Sequence, residues 1–70
     1  MNMIDPERLD RYNQALHQES ERLDGALAAI RADEDAGRIT VREAAEARIA
    51  VLEANLTQLR LLKAEYLNNH

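Results

Sequence analysis

A chain of 70 residues with a net charge of −4 has room for one small domain. It contains no cysteine, which excludes disulfides and thiolate metal sites, and its acidic balance argues against nucleic acid as the main partner, since phosphate-binding domains carry clustered Lys and Arg. A chain this short buries little of its surface, and with disulfides and metals excluded association is the remaining way to stabilise it.

The apolar residues do not form a membrane-spanning stretch, since no run approaches the roughly 18 residues that cross a bilayer. The first residues lack the basic and hydrophobic regions of a signal peptide. We therefore expect a cytoplasmic protein. All basic residues except Lys63 are Arg, and Ala is abundant, a coding bias typical of a GC-rich bacterial or phage gene.

The first helix is predicted to begin at Asp5-Pro6-Glu7. Asp5 can cap free backbone N–H groups, Pro6 suits the first helical position, and Ile4 and Leu9 have the spacing of a hydrophobic staple. An apolar stripe with three- and four-residue steps then predicts a helix over about residues 5–36. The stripe consists of Leu9, Tyr12, Leu16, Leu23, Ala26 and Ile30.

Asp24-Gly25 is the weak point of this helix, because Gly costs about 1 kcal/mol relative to Ala in a helix interior. A break there would give three helices. The apolar stripe continues in phase from Leu23 to Ala26, which favours a single helix.

The connection between the helices is predicted at residues 37–40. Gly37 can close the first helix, and Thr40 with Glu43 forms a capping box that begins the second helix, over about residues 41–67. A connection this short places the two helices antiparallel. The stripe expected to pack against the first helix consists of Ala45, Ile49, Leu52, Leu56, Leu59 and Tyr66.

These elements predict an all-α fold, a single antiparallel two-helix hairpin that resembles a coiled coil and completes a four-helix bundle by dimerisation. The register places Tyr12 near Tyr66 at the open end of the hairpin, and Glu19 opposite Gln58. Glu19 then either forms a polar layer that fixes the register or lies at a helix edge with its carboxylate in solvent.

Catalytic, cofactor-binding and metal-binding motifs find no support. His17 has Glu21 one turn away but no second nearby His, and the two glycines stand apart, so no phosphate-binding loop is predicted. Asp33 to Glu43 resembles a calcium-binding loop that is one residue short, and helix capping explains the same residues. We therefore predict a protein that is not an enzyme and binds no metal or cofactor.

A second, small-residue surface predicts where another chain binds. The alternative is that Ala, a good helix former, fills exposed positions. The expected interface comprises Tyr12, Gly25, Ala29, Ala32, Ala44, Ala47, Val51, Ala54, Leu61 and Tyr66. The predicted function is a non-enzymatic protein–protein interaction module, a small structural, assembly or adaptor protein that acts as a homodimer or on a larger protein. The alternative is a small regulatory inhibitor, anti-sigma-like or phage-encoded, that masks a larger partner.

Overall fold

The computed structural model describes residues 5–67, which form an antiparallel hairpin of two helices, α1 (Pro6–Asp35) and α2 (Val41–Leu67). The helices pack against each other, and the part of the chain that the structure describes contains no strand. The Cα positions extend over 54 × 17 × 10 Å, so the molecule is a single layer two helices wide. The all-α hairpin predicted from the sequence is confirmed.

Helix α1 begins with the predicted cap. The Glu7 N–H donates to Asp5 Oδ1 at 3.0 Å, and the Leu9 N–H donates to the Asp5 carbonyl at 3.0 Å. Pro6 occupies the first helical position, where a missing N–H costs no hydrogen bond. The Ile4 half of the expected staple lies outside the described residues.

The C-terminus of α1 closes through Gly37, which has a φ of +74°. The Gly37 N–H donates to the Glu34 carbonyl at 3.0 Å, and the Arg38 N–H donates to the Asp33 carbonyl at 2.9 Å. This pair of bonds is a Schellman motif, which satisfies carbonyls that the helix leaves without partners. Arg38 Nη1 also donates to Asp33 Oδ1 at 2.9 Å, so a cation contacts the acidic helix end.

Helix α2 begins with the predicted capping box. The Glu43 N–H donates to Thr40 Oγ1 at 3.0 Å, and the Thr40 N–H donates to Glu43 Oε1 at 2.9 Å. Each residue thus satisfies the other's backbone donor. The chain consequently reverses direction within residues 36–40.

Gly25 does not break α1, which is continuous from Pro6 to Asp35. A Cβ atom at Gly25 would meet nothing within 4 Å, because this position faces solvent. We predict that Gly25→Ala stabilises the hairpin by about 0.5–1 kcal/mol, since Ala loses less backbone entropy in a helix. Urea titration at fixed protein concentration measures the difference, and a loss of stability would show that Gly25 has a packing role.

The seam between the helices differs from the expected one on α2. Ala44 is fully buried and Leu62 is 7% exposed, whereas Ile49 is 57% exposed and Leu56 47% exposed. The α2 residues that turn toward α1 are Ala44, Arg48, Val51, Asn55, Leu62 and Tyr66. The prediction that Ile49, Leu52 and Leu56 fill the seam is therefore wrong.

Compared with the orientation predicted from the sequence, α2 is turned about its own axis by somewhat less than the roughly 100° between successive helical residues. It brings Asn55 and Arg48 within hydrogen-bonding distance of carboxylates on α1. Paired polar groups, Ala44 and Leu62 thus occupy the inner surface of α2, and Ile49, Leu52 and Leu56 remain outside it. The consequence is an apolar surface that the hairpin itself does not cover.

Candidate functional site

A polar layer centred on Glu19 fixes the register of the two helices. Glu19 is only 6% exposed, yet its carboxylate is fully paired. Arg22 donates to it through two nitrogens, Nε at 2.7 Å and Nη2 at 2.6 Å, and Asn55 Nδ2 donates from α2 at 2.7 Å. Of the two alternatives that the sequence left open, the polar layer is the one present, and the residue of α2 that binds Glu19 is Asn55 rather than Gln58.

These hydrogen bonds hold the pKa of Glu19 below its usual value of 4.5. The bonds from Arg22 are the largest cause and the bond from Asn55 the next, while burial acts in the opposite direction. A carboxylate whose pKa is depressed on folding stabilises the folded state fully above about pH 4.5, and that contribution disappears as the pH falls through the lower folded-state pKa.

We predict that Glu19→Gln lowers the thermal midpoint at pH 7, because the neutral amide keeps the shape but loses the charge-assisted hydrogen bonds. The difference from the wild type should shrink as the pH falls from 5 to 2, since protonated Glu19 is also neutral. Circular dichroism melts at matched protein concentration measure both midpoints. A difference that stays constant over this range would contradict the role given to the Glu19 charge.

The two ends of the hairpin are also joined across the seam. Near the turn, Arg48 Nη2 donates to Glu34 Oε1 at 2.7 Å. At the open end, the rings of Tyr12 and Tyr66 lie with centroids 6.1 Å apart and planes tilted by 47°. The predicted proximity of the two tyrosines is confirmed, and it is a contact within the hairpin.

The two broad sides of the layer differ in chemistry. Successive residues of an α-helix are about 100° apart around its axis, so the side chains that flank the seam lie on one broad side or on the other. One side carries large aliphatic residues beside the seam along the middle of both helices, and we call it the leucine face. The leucine face comprises Leu9, Leu16, Leu23 and Leu27 of α1 and Ile49, Leu52, Leu56 and Leu59 of α2.

Exposure of the leucine face is substantial. Leu9, Ile49, Leu52 and Leu56 are among the large hydrophobic residues that remain exposed, and the other members are half-buried. Between residues 16 and 27 and between residues 49 and 59, all of which the structure describes, no charged side chain lies on this face. The result is a continuous apolar strip on both helices.

The opposite broad side carries most of the interface predicted from the sequence, and we call it the small-residue face. Its small residues are Gly25, Ala29, Ala32, Ala47, Val51 and Ala54. Its central part is a shallow groove lined by Ala15, Gln18, Glu19, Arg22, Gln58 and Leu62. Polar side chains thus occupy the middle of this face. Val51 and Ala47 are half-buried beside the seam, and Ala54 and Leu61 are exposed farther out.

The remaining predicted interface residues lie in different surroundings. Gly25, Ala29 and Ala32 are exposed on α1, on the side of the helix turned away from the leucine face. Ala44 has no exposed surface, so the packing of the hairpin uses this position. Binding of another chain to the small-residue face stays a prediction.

Metal-binding clusters and membrane-spanning helices are absent from the described residues. Within residues 5–67 no group of three or more His, Asp or Glu side chains could hold a metal ion, and neither described helix is long and apolar enough to cross a membrane. His17 Nε2 lies 3.0 Å from Glu21 Oε1 on an exposed helix surface.

Comparison of this chain with models of known protein families, with curated proteins and with solved structures finds no match.

The sequence predicts the apolar leucine positions on both helices, but the structure places those of α2 on the leucine face rather than in the seam. Leu16 and Leu23 of α1, and Leu52 and Leu56 of α2, were expected to meet in the seam. The signal that could have corrected this is polar: Arg48 and Asn55 share one side of α2 with Ala44 and Leu62. Their α1 partners, Glu34 and Glu19, sit at matching heights in the hairpin.

Proposed function

We propose that this chain is a non-enzymatic protein–protein interaction module, a small structural, assembly or adaptor protein that binds another chain through the leucine face. The observation that carries the proposal is the continuous exposure of aliphatic side chains from both helices on one side of the hairpin. Contiguous exposed apolar patches of several hundred Å² typically mark protein-binding surfaces.

The energetics favour coverage of this face. Ile49, Leu52 and Leu56 each keep roughly half of their surface in water. Full burial of such a side chain is worth about 1.5–3 kcal/mol, so covering the exposed half of each contributes on the order of 1 kcal/mol. For a chain with a stability of only about 0.05–0.15 kcal/mol per residue, that sum is a large fraction of the total.

Site-specific photo-crosslinking in the producing cell tests the proposal. A photoreactive residue replaces Ile49 on the leucine face or Ala50, the adjacent exposed residue that points away from it. We expect an adduct of defined mass from the Ile49 position that is absent from the Ala50 position and is lost when Leu56→Glu is added. An adduct with a larger protein would favour a regulator that masks its partner. Equal labelling at Ile49 and Ala50 would contradict the proposal.

A further inference from the structure

The hairpin is a single layer of two helices. Its thickness of 10 Å in Cα positions corresponds to one layer of helices, and stable domains are built from at least two packed layers. Within residues 5–67 only Ala44, Leu62 and Glu19 are buried, and one of these three is a charged residue. The missing layer must lie on a broad face, because only the broad faces can receive two more helices.

We propose that the leucine face is covered by the leucine face of a second copy of this chain, giving a face-to-face, twofold-symmetric four-helix bundle. This inference rests on the proposed function and names the partner. The Cα positions extend over 54 × 17 Å in the plane of the layer, so the broad side is large enough for the roughly 800 Å² that each partner contributes to a stable interface. A second hairpin is itself a flat helical layer of the same dimensions, so it can cover the leucine residues of both helices at once.

The leucine face is suited to pairing with itself. A twofold axis places the same patch on both sides of the interface, so a charge near the centre would meet its own copy or be desolvated. Between Leu16 and Leu27 and between Ile49 and Leu59, no charged side chain lies on this face. Ser20 is the polar residue there, and it is neutral. A second copy packed on this face would therefore bring no like charges together at its centre.

Charged groups are confined to the ends of the face. Near the turn, Arg48 is paired with Glu34 across the seam, and Arg31 lines a shallow pocket beside Leu27. Near the open end, Lys63 is exposed. The small-residue face is less suited to a symmetric contact. Its groove exposes half of the Arg22 side chain beside Gln18 and Gln58, so a second copy would bring two Arg22 guanidinium groups toward one another.

The test uses the purified full chain and two matched variants. Leu56 and Leu61 are both in α2 and are 47% and 58% exposed, but Leu56 lies on the leucine face and Leu61 beside the small-residue face. Sedimentation equilibrium gives the mass, and helicity by circular dichroism is followed over a dilution series. We expect the wild type and Leu61→Glu to have twice the 8.0 kDa chain mass. Leu56→Glu should raise the concentration midpoint of association more than about 100-fold, because two carboxylates enter one apolar interface.

The truncation Leu56→Ala removes apolar contacts without introducing a charge. It also leaves helix formation undisturbed, because Ala is a good helix former. It should raise the same midpoint by about 10-fold or more, whether or not the separated chains remain helical. No change with Leu56→Ala would overturn the inference.

The outcomes separate the inference from the proposed function. A wild type with the mass of one chain and a cooperative unfolding transition would overturn the second copy as occupant, whereas an adduct to another protein from the Ile49 crosslinker would leave the proposed function standing. A dimer disrupted by Leu61→Glu and not by Leu56→Glu would place the contact on the small-residue face and also overturn the inference. A single-chain mass together with no adduct at Ile49 would remove both.

Discussion

Leu62→Asp is expected to abolish the folded hairpin, whereas Leu61→Asp leaves it intact. Leu62 is 7% exposed in the seam and borders the groove that contains Glu19. An aspartate there would be desolvated and would lie near a second carboxylate, at a cost of about 3 kcal/mol or more. A chain of this length has a total stability of only a few kcal/mol, so we expect the cooperative transition to disappear.

Leu61 is the matched control, because it is the preceding residue on the same helix and is 58% exposed. Surface substitutions of this kind usually change stability by less than about 0.5 kcal/mol. Circular dichroism and thermal melts of both variants at one protein concentration measure the difference. Equal loss of helicity in both variants would show that the seam is not where the structure places it.

Ala44→Leu is expected to destabilise the hairpin by about 1–3 kcal/mol, the usual cost of forcing extra methylenes into a packed site. Ala44 has no exposed surface and follows the capping box, where α2 leaves the turn and approaches α1 closely. The neighbouring Ala45 is exposed, so Ala45→Leu should be nearly silent. Urea midpoints of the two variants provide the comparison, and an Ala44→Leu chain as stable as the wild type would mean that the helices separate at the turn without penalty.

The ends of both helices could be predicted from the sequence because short-range chemistry decides them. Asp5 and Pro6 start α1, Gly37 closes it, and Thr40 with Glu43 starts α2, each through bonds between residues at most five positions apart. Such contacts need no knowledge of tertiary packing. The same locality explains why the antiparallel pairing followed from the length of the turn.

The rotation of α2 could not be predicted from apolar spacing alone. Two arcs of α2 have helical periodicity, one with Ile49, Leu52 and Leu56 and the other with Ala44, Val51 and Leu62. Hydrophobicity favours the first arc for the seam, and pairing of polar groups favours the second. Because Asn55 on the second arc satisfies Glu19, burying that arc leaves no unpaired side-chain atom among the described residues.

This outcome also relocates the candidate site. The sequence predicts a small-residue interface and places Ile49 and Leu52 in the seam, whereas the structure exposes Ile49 and Leu52 on the leucine face. A two-helix layer always exposes one of its apolar arcs, since each helix has a single neighbour. Which arc is exposed depends on a few long-range hydrogen bonds that the spacing of apolar residues does not encode.

Thiol alkylation in intact producing cells tests the central claim, that another chain covers the leucine face, most directly. The sequence has no cysteine, so Leu52→Cys and Leu61→Cys each introduce a single reporter at positions that are 49% and 58% exposed in the isolated hairpin. We expect alkylation several-fold slower at Leu52→Cys than at Leu61→Cys, with the difference abolished in denaturant. Equal rates at the two positions in the cell would contradict it.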